Sequence, residues 1–115
     1  MTHFIGWKDA DAMLADFEEG PSALEGADLI FAAYWQPPWE GSALVYFERG
    51  GELFEVDAGH CSCNGLEGQW NPKPASWNYV LKRAAPDEYS EPEEREAHAA
   101  LMEIARRKLT PEAQA

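Results

Sequence analysis

The sequence predicts a small α+β domain: a three-stranded antiparallel meander packed against two to three helices, in the order α-β-β-β-α-α. Three observations predict it. Two apolar runs, "SALVYFE" (42–48) and "ELFEVD" (52–57), are joined across Gly50–Gly51, which is a hairpin signal. Helical spacing of apolar residues recurs near both ends of the chain. The length of 115 residues with 45% apolar content is that of one ordinary globular domain, placed at 1–110 with 111–115 as a frayed tail.

The elements follow in order. Residues 9–19 read as a helix, with Ala10, Met13, Leu14 and Phe17 on one face, Asp9 as its cap and Gly20 at its end. Asp11 stands in the first turn, where the helix dipole favours an acid. "DLIFAAYWQ" (28–36) reads as a buried strand that "PPW" interrupts, because two prolines cannot sit in a central strand. In 42–48, alternation puts Ala43, Val45 and Phe47 on one face and Leu44 and Tyr46 on the other. In 52–57, Glu55 reads as facing solvent. "NPKPA" reads as a proline-bracketed turn. Ser76 caps a short helix over 77–85. Ser90 and Glu93 fit a capping box for a last helix over about 91–108, which turns Ala97, Ala100, Leu101, Ile104 and Ala105 to the core. The helices are expected on one side of the sheet.

The formal charge of −12 is large for this size. Residues 1–28 hold seven acids and one base, residues 40–67 six and one, and residues 87–103 seven and one. Positive charge concentrates at Lys73, Lys82, Arg83 and the Arg106–Arg107–Lys108 cluster. Such a chain repels nucleic acid, so no direct nucleic-acid binding is expected, and it is attracted to basic protein surfaces. No apolar run reaches the ~20 residues of a membrane span. The N-terminal stretch lacks the pattern of a signal peptide, so a cytoplasmic location and reduced thiols are expected.

The chemistry-bearing motif is "HCSCNGLEGQW" (60–70), which holds both cysteines. On extended backbone Cys61 and Cys63 point the same way and could grip one ion, with His60 beside them. Zinc, the candidate cofactor, wants four ligands, and this segment offers at most three. His3, His98, Asp57 and Glu67 are the remaining donors. The plainer reading makes the cysteines small buried hydrophobes at a structural corner. There Leu66 and Trp70 dip into the core while Glu67 and Gln69 bond the turn. A Cys–His nucleophile lacks a base at the right spacing and an oxyanion hole, so no enzyme is expected. "YWQPPWEG" (34–41) offers a different feature: Trp39 beside a Pro-Pro turn is the kind of aromatic that anchors interfaces.

The segment 41–72, "GSALVYFERGGELFEVDAGHCSCNGLEGQWNP", resembles a sequence that recurs in small bacteriophage and prophage proteins with no established activity. The resemblance rests on Gly41, Ser42, His60, Cys61, Ser62, Cys63, Gly65, Leu66, Glu67, Gln69, Trp70 and Pro72. The chain departs from that pattern in its loop 35–39 and its acidic last helix. The resemblance implies a phage or mobile-element origin, and small acidic phage proteins often act on host machinery. The expected function is therefore binding and inhibition of a host nucleic-acid-handling complex, of anti-CRISPR or anti-restriction type, in part by presenting carboxylates where phosphates are expected. The expected partner is a basic host protein or nucleoprotein complex, and a homodimer is an open alternative. The contact residues expected are Asp11, Asp16, Glu18, Glu19, Glu94 and Trp39. The competing reading is a zinc-stabilised protein-binding module held by His60, Cys61 and Cys63.

Overall fold

The computed structural model describes residues 2–35, 40–61, 65–83, 85–86 and 90–109, with the side chains of Glu40, His60 and Cys61 excepted. Nine elements follow in order: β1 (His3–Ile5), α1 (Ala10–Asp16), a 3-10 turn (Pro21–Leu24), β2 (Ala27–Trp35), β3 (Glu40–Arg49), β4 (Glu52–Cys61), β5 (Lys73–Ala75), α2 (Trp77–Leu81) and α3 (Pro92–Leu109).

The expected three-stranded meander is corrected to a mixed sheet of five strands in the order β1-β2-β3-β4-β5. The meander itself, β2 to β4, is its centre. Arg49 pairs with Glu52 across Gly50 and Gly51, both at positive φ, as a two-residue hairpin turn requires. What the sequence left unread are two edge strands of three residues each. β1 lies parallel to β2, pairing His3 with Phe31, and β5 lies antiparallel to β4, pairing Leu53 with Ala75. Neither edge carries enough residues to show alternation. β5, "KPA", holds a proline, which only an edge strand accepts.

The second correction concerns the layers. α2 and α3 pack on one face, where Ile5, Phe31, Leu44, Tyr46, Leu53, Val80, Leu101 and Ala105 form one core. α1 packs on the other, where Trp7, Met13, Phe17, Val45, Phe47, Val56 and Leu66 form a second. Both faces are covered, which is why β2 reads as an unbroken apolar run. A bulge between Leu29 and Phe31 lets Ile30 and Phe31 share the α3 face. The expected alternation of β3 holds: Ala43, Val45 and Phe47 belong to the α1 core, Leu44 and Tyr46 to the α3 core.

The helix boundaries tighten. Asp9 caps α1, its Oδ1 accepting from the Ala12 N–H at 2.9 Å. The helix stops at Asp16 and not near Gly20, because Glu18 takes φ 57°. The Glu19 N–H then donates to the Leu14 carbonyl at 2.9 Å and the Glu18 N–H to the Ala15 carbonyl at 3.0 Å, a Schellman closure. α2 begins where expected, capped by the Ser76 hydroxyl, and ends at Leu81, four residues early.

Gly6 fixes the crossover from β1 into α1. It sits at φ +82°, and a Cβ there would lie 2.0 Å from the Tyr34 carbonyl oxygen. Only glycine lets the chain pass this close to β2.

Candidate functional site

The sequence-predicted contact residues divide between the two faces of the sheet. Asp11, Asp16, Glu18 and Glu19 are exposed on α1 and its closing turn. Glu94 stands half-buried on α3, on the opposite side of the sheet. The structure therefore does not bring these five acids together. Trp39, Cys63 and the side chains of His60 and Cys61 lie outside the described residues. By backbone, His60 and Cys61 end β4 opposite Gly41 and Glu40, so the motif opens inside a strand and not after it. No group of three or more His, Cys, Asp or Glu side chains suited to a metal occurs among the described residues.

The α1 acids differ in what holds them. Asp16 Oδ2 accepts from the Trp7 indole N–H at 2.7 Å and so anchors an aromatic of the core. Asp11, Glu18 and Glu19 have no ion-pair partner among the described residues. The nearby cation of β3, Arg49, is committed elsewhere. It donates to the carbonyls of Ala23 at 2.9 Å and Glu25 at 3.1 Å, and covers the Phe47 ring. The segment from Asp9 to Asp28 thus presents carboxylates and no Lys or Arg, and Lys8 just before it is the single base in 1–28. A local negative field follows, reaching about 8 Å at physiological salt.

The described part of the 60–70 motif is a structural corner. Leu66 is fully buried, and Trp70 stacks on Phe47 at 5.9 Å and meets Phe17 edge-on at 5.2 Å. Gln69 works as a clamp: its Oε1 accepts from the Gly59 N–H at 3.1 Å, and its Nε2 donates to the Gly65 carbonyl at 3.0 Å. The β4–β5 register, carried onward, would place residue 69 opposite Gly59. The side-chain amide thus continues a ladder that backbone pairing has left. Glu67 Oε1 accepts from the Gly65 N–H at 3.2 Å and closes the turn.

The α3 side of the sheet holds a polar constellation that sequence reasoning missed. Glu55, read as solvent-facing, is corrected to a buried carboxylate, 8% exposed. The Tyr46 hydroxyl donates to its Oε2, and Arg83 reaches the same oxygen at 3.0 Å. Arg83 also pairs with Asp57 at 3.5 Å, where water screens the contact because Asp57 is largely exposed. Burial pushes the Tyr46 hydroxyl far above its ordinary range near 10, and its bond to Glu55 adds to the rise. Burial works against the Arg83 charge, but Tyr46, Glu55 and Asp57 outweigh it and hold the guanidinium charged above its ordinary range. One signal was available. The hairpin register set by Gly50–Gly51 places Tyr46 directly opposite Glu55, so a buried tyrosine implied a buried acid.

Beside this network a cavity of about 170 Å³ opens between β3 and α3. Trp35, Leu44, Leu101 and Met102 supply apolar walls; Ser42, Asp57, Arg83, Glu94 and His98 supply polar ones. His98 Nε2 is buried with no hydrogen-bond partner among the described residues. No described helix is long and apolar enough to cross a membrane.

Comparison with known proteins adds no relative. No family model matches the chain, and no match was found among curated proteins or among solved structures.

Proposed function

We propose that this is a phage-type protein of the host cytoplasm that binds a basic surface of a host nucleic-acid-handling complex and inhibits it. Its role is binding and not catalysis. The observation that supports the reading is the exposed acidic surface of α1 and its closing turn, whose carboxylates have no ion-pair partner among the described residues. An acidic surface of this kind raises the encounter rate with basic surfaces and weakens as salt rises. Glu18 adds to the argument. It holds a left-handed backbone position that glycine fills at lower cost, and strain kept in an exposed acid is a mark of use.

The test is a binding series at rising salt against purified CRISPR effector and restriction complexes. Wild type is expected to bind at low salt and to be released as salt rises. The triple reversal Asp11→Lys, Glu18→Lys, Glu19→Lys is expected to lose binding, and Cys61→Ser to keep it. Asp16 is left intact because it holds Trp7. An absence of wild-type affinity for basic complexes at low salt would end the proposal.

A further inference from the structure

We propose that the cavity between β3 and α3 is a binding site for a compact organic cation: a guanidinium or primary ammonium group on a short apolar stem. The proposal stands apart from the α1 surface, which lies on the other face of the sheet.

Size comes first. The cavity, about 170 Å³, is close to the ~150 Å³ void that accommodates a benzene-sized guest. Its apolar part is built from Trp35 at the end of β2 and from Leu101 and Met102 on α3, a lining suited to an alkyl stem. The sheet and the helix fix these walls independently, because each belongs to the packed α3 core. A pocket with a few convergent polar groups on an apolar lining is the general form of a small-ligand site.

Charge decides the class of ligand. Arg83 reaches the cavity wall, but Glu55 and Asp57 both engage it, so its charge is already outweighed. Glu94 lines the same space, and its carboxylate has no hydrogen-bond or ion-pair partner among the described residues. The net field inside is negative, as it is over the whole chain of −12. An anion would meet Glu94 and Asp57; a cation would be paired by them. A guanidinium fits a free carboxylate with two parallel N–H bonds.

The second, independent observation is His98. A buried polar atom without a partner forfeits the hydrogen bonds it made to water, and native proteins rarely leave one. His98 Nε2 is such an atom among the described residues, and His98 lines the cavity one helical turn beyond Glu94. In the neutral imidazole with its proton on Nδ1, Nε2 accepts a hydrogen bond. A guest whose N–H groups pair with Glu94 lies against His98, and its entry is what gives the buried Nε2 a partner; Ser42 lines the facing strand.

The experiment is an NMR titration of the full chain with propylguanidinium, following the His98 ring nitrogens and the α3 amides. The expected result is a saturable shift of His98 Nε2. Glu94→Gln should weaken binding at least tenfold, and His98→Phe should weaken it as well. Propylurea, the uncharged match in shape, should give no shift. A blocked Gly-Arg-Gly tripeptide forms a second arm: competition by it points to a protein side chain as the source of the cation, and its exclusion points to a free small molecule. The proposal is overturned if propylguanidinium gives no shift, if propylurea shifts His98 equally, or if Glu94→Gln binds as tightly as wild type. Glu94→Gln keeps the test decisive should His98→Phe fail to fold.

Discussion

The two faces of the sheet are built on opposite principles. On the α1 face the core is dry and aromatic: Trp7, Phe17, Phe47 and Trp70 lie in ring-to-ring contact, and the carboxylates stay outside. On the α3 face the sheet admits a buried acid, Glu55, satisfied by Tyr46 and Arg83, and leaves a cavity with polar walls. Apart from Asp16, which holds the Trp7 indole, an acid on the first face acts through the field it projects into solvent. An acid on the second acts through the groups it touches. Net charge alone treats these alike, which is why −12 says little about any single carboxylate.

The largest expected effect breaks the dry face. Gly6→Ala combines a left-handed backbone, costing a non-glycine residue about 1–2 kcal/mol, with a clash against the Tyr34 carbonyl. A loss of about 4 kcal/mol in urea unfolding is expected, within the range of severe single mutations. A loss under about 1 kcal/mol would show that β1 does not hold its place beside β2.

Next comes the polar face. Arg83→Met strands Glu55 with only the Tyr46 hydroxyl, and a loss of about 3 kcal/mol is expected. Pairing it with Glu55→Gln should recover much of that loss, because the buried charge leaves together with its partner. A purely additive double variant would show that Glu55 is not held by Arg83.

The same network sets a pH dependence. An unfolded tyrosine ionises near 10, whereas Tyr46 in the fold keeps its proton well beyond. Above pH 10 the native state therefore binds more protons than the unfolded chain, so stability falls as pH rises. The slope from this one group is about 1.4 kcal/mol per pH unit. Tyr46→Phe should remove that component, read as a shallower decline in stability between pH 10 and 11.

The smallest effect returns to the α1 face. Glu18→Gly relieves a strained backbone and should raise stability by about 1 kcal/mol, while weakening the salt-dependent binding proposed for this surface. Higher stability with unchanged binding would sharpen the contrast differently, leaving Asp11 and Glu19 to carry the surface.

The sequence by itself determined the local features of the fold. The Gly50–Gly51 turn, the alternation of β3, the Asp9 and Ser76 caps and the apolar stripe of α3 depend on periods and backbone preferences that adjacent residues carry. It also determined the corner at 65–70, where Leu66, Gln69 and Trp70 are explained by a turn at the end of a strand. Tertiary structure decided the rest. β1 and β5 exist because β2 and β4 offer them edges; three residues carry no period of their own. Glu55 looks like any surface acid until Tyr46 and Arg83 arrive from 9 positions upstream and 28 downstream. The separation of the acidic helices to opposite faces, and the cavity that Glu94 and His98 line, follow from which side each helix crosses the sheet. Apolar periodicity cannot carry that information, because it says that a face is buried and not against what.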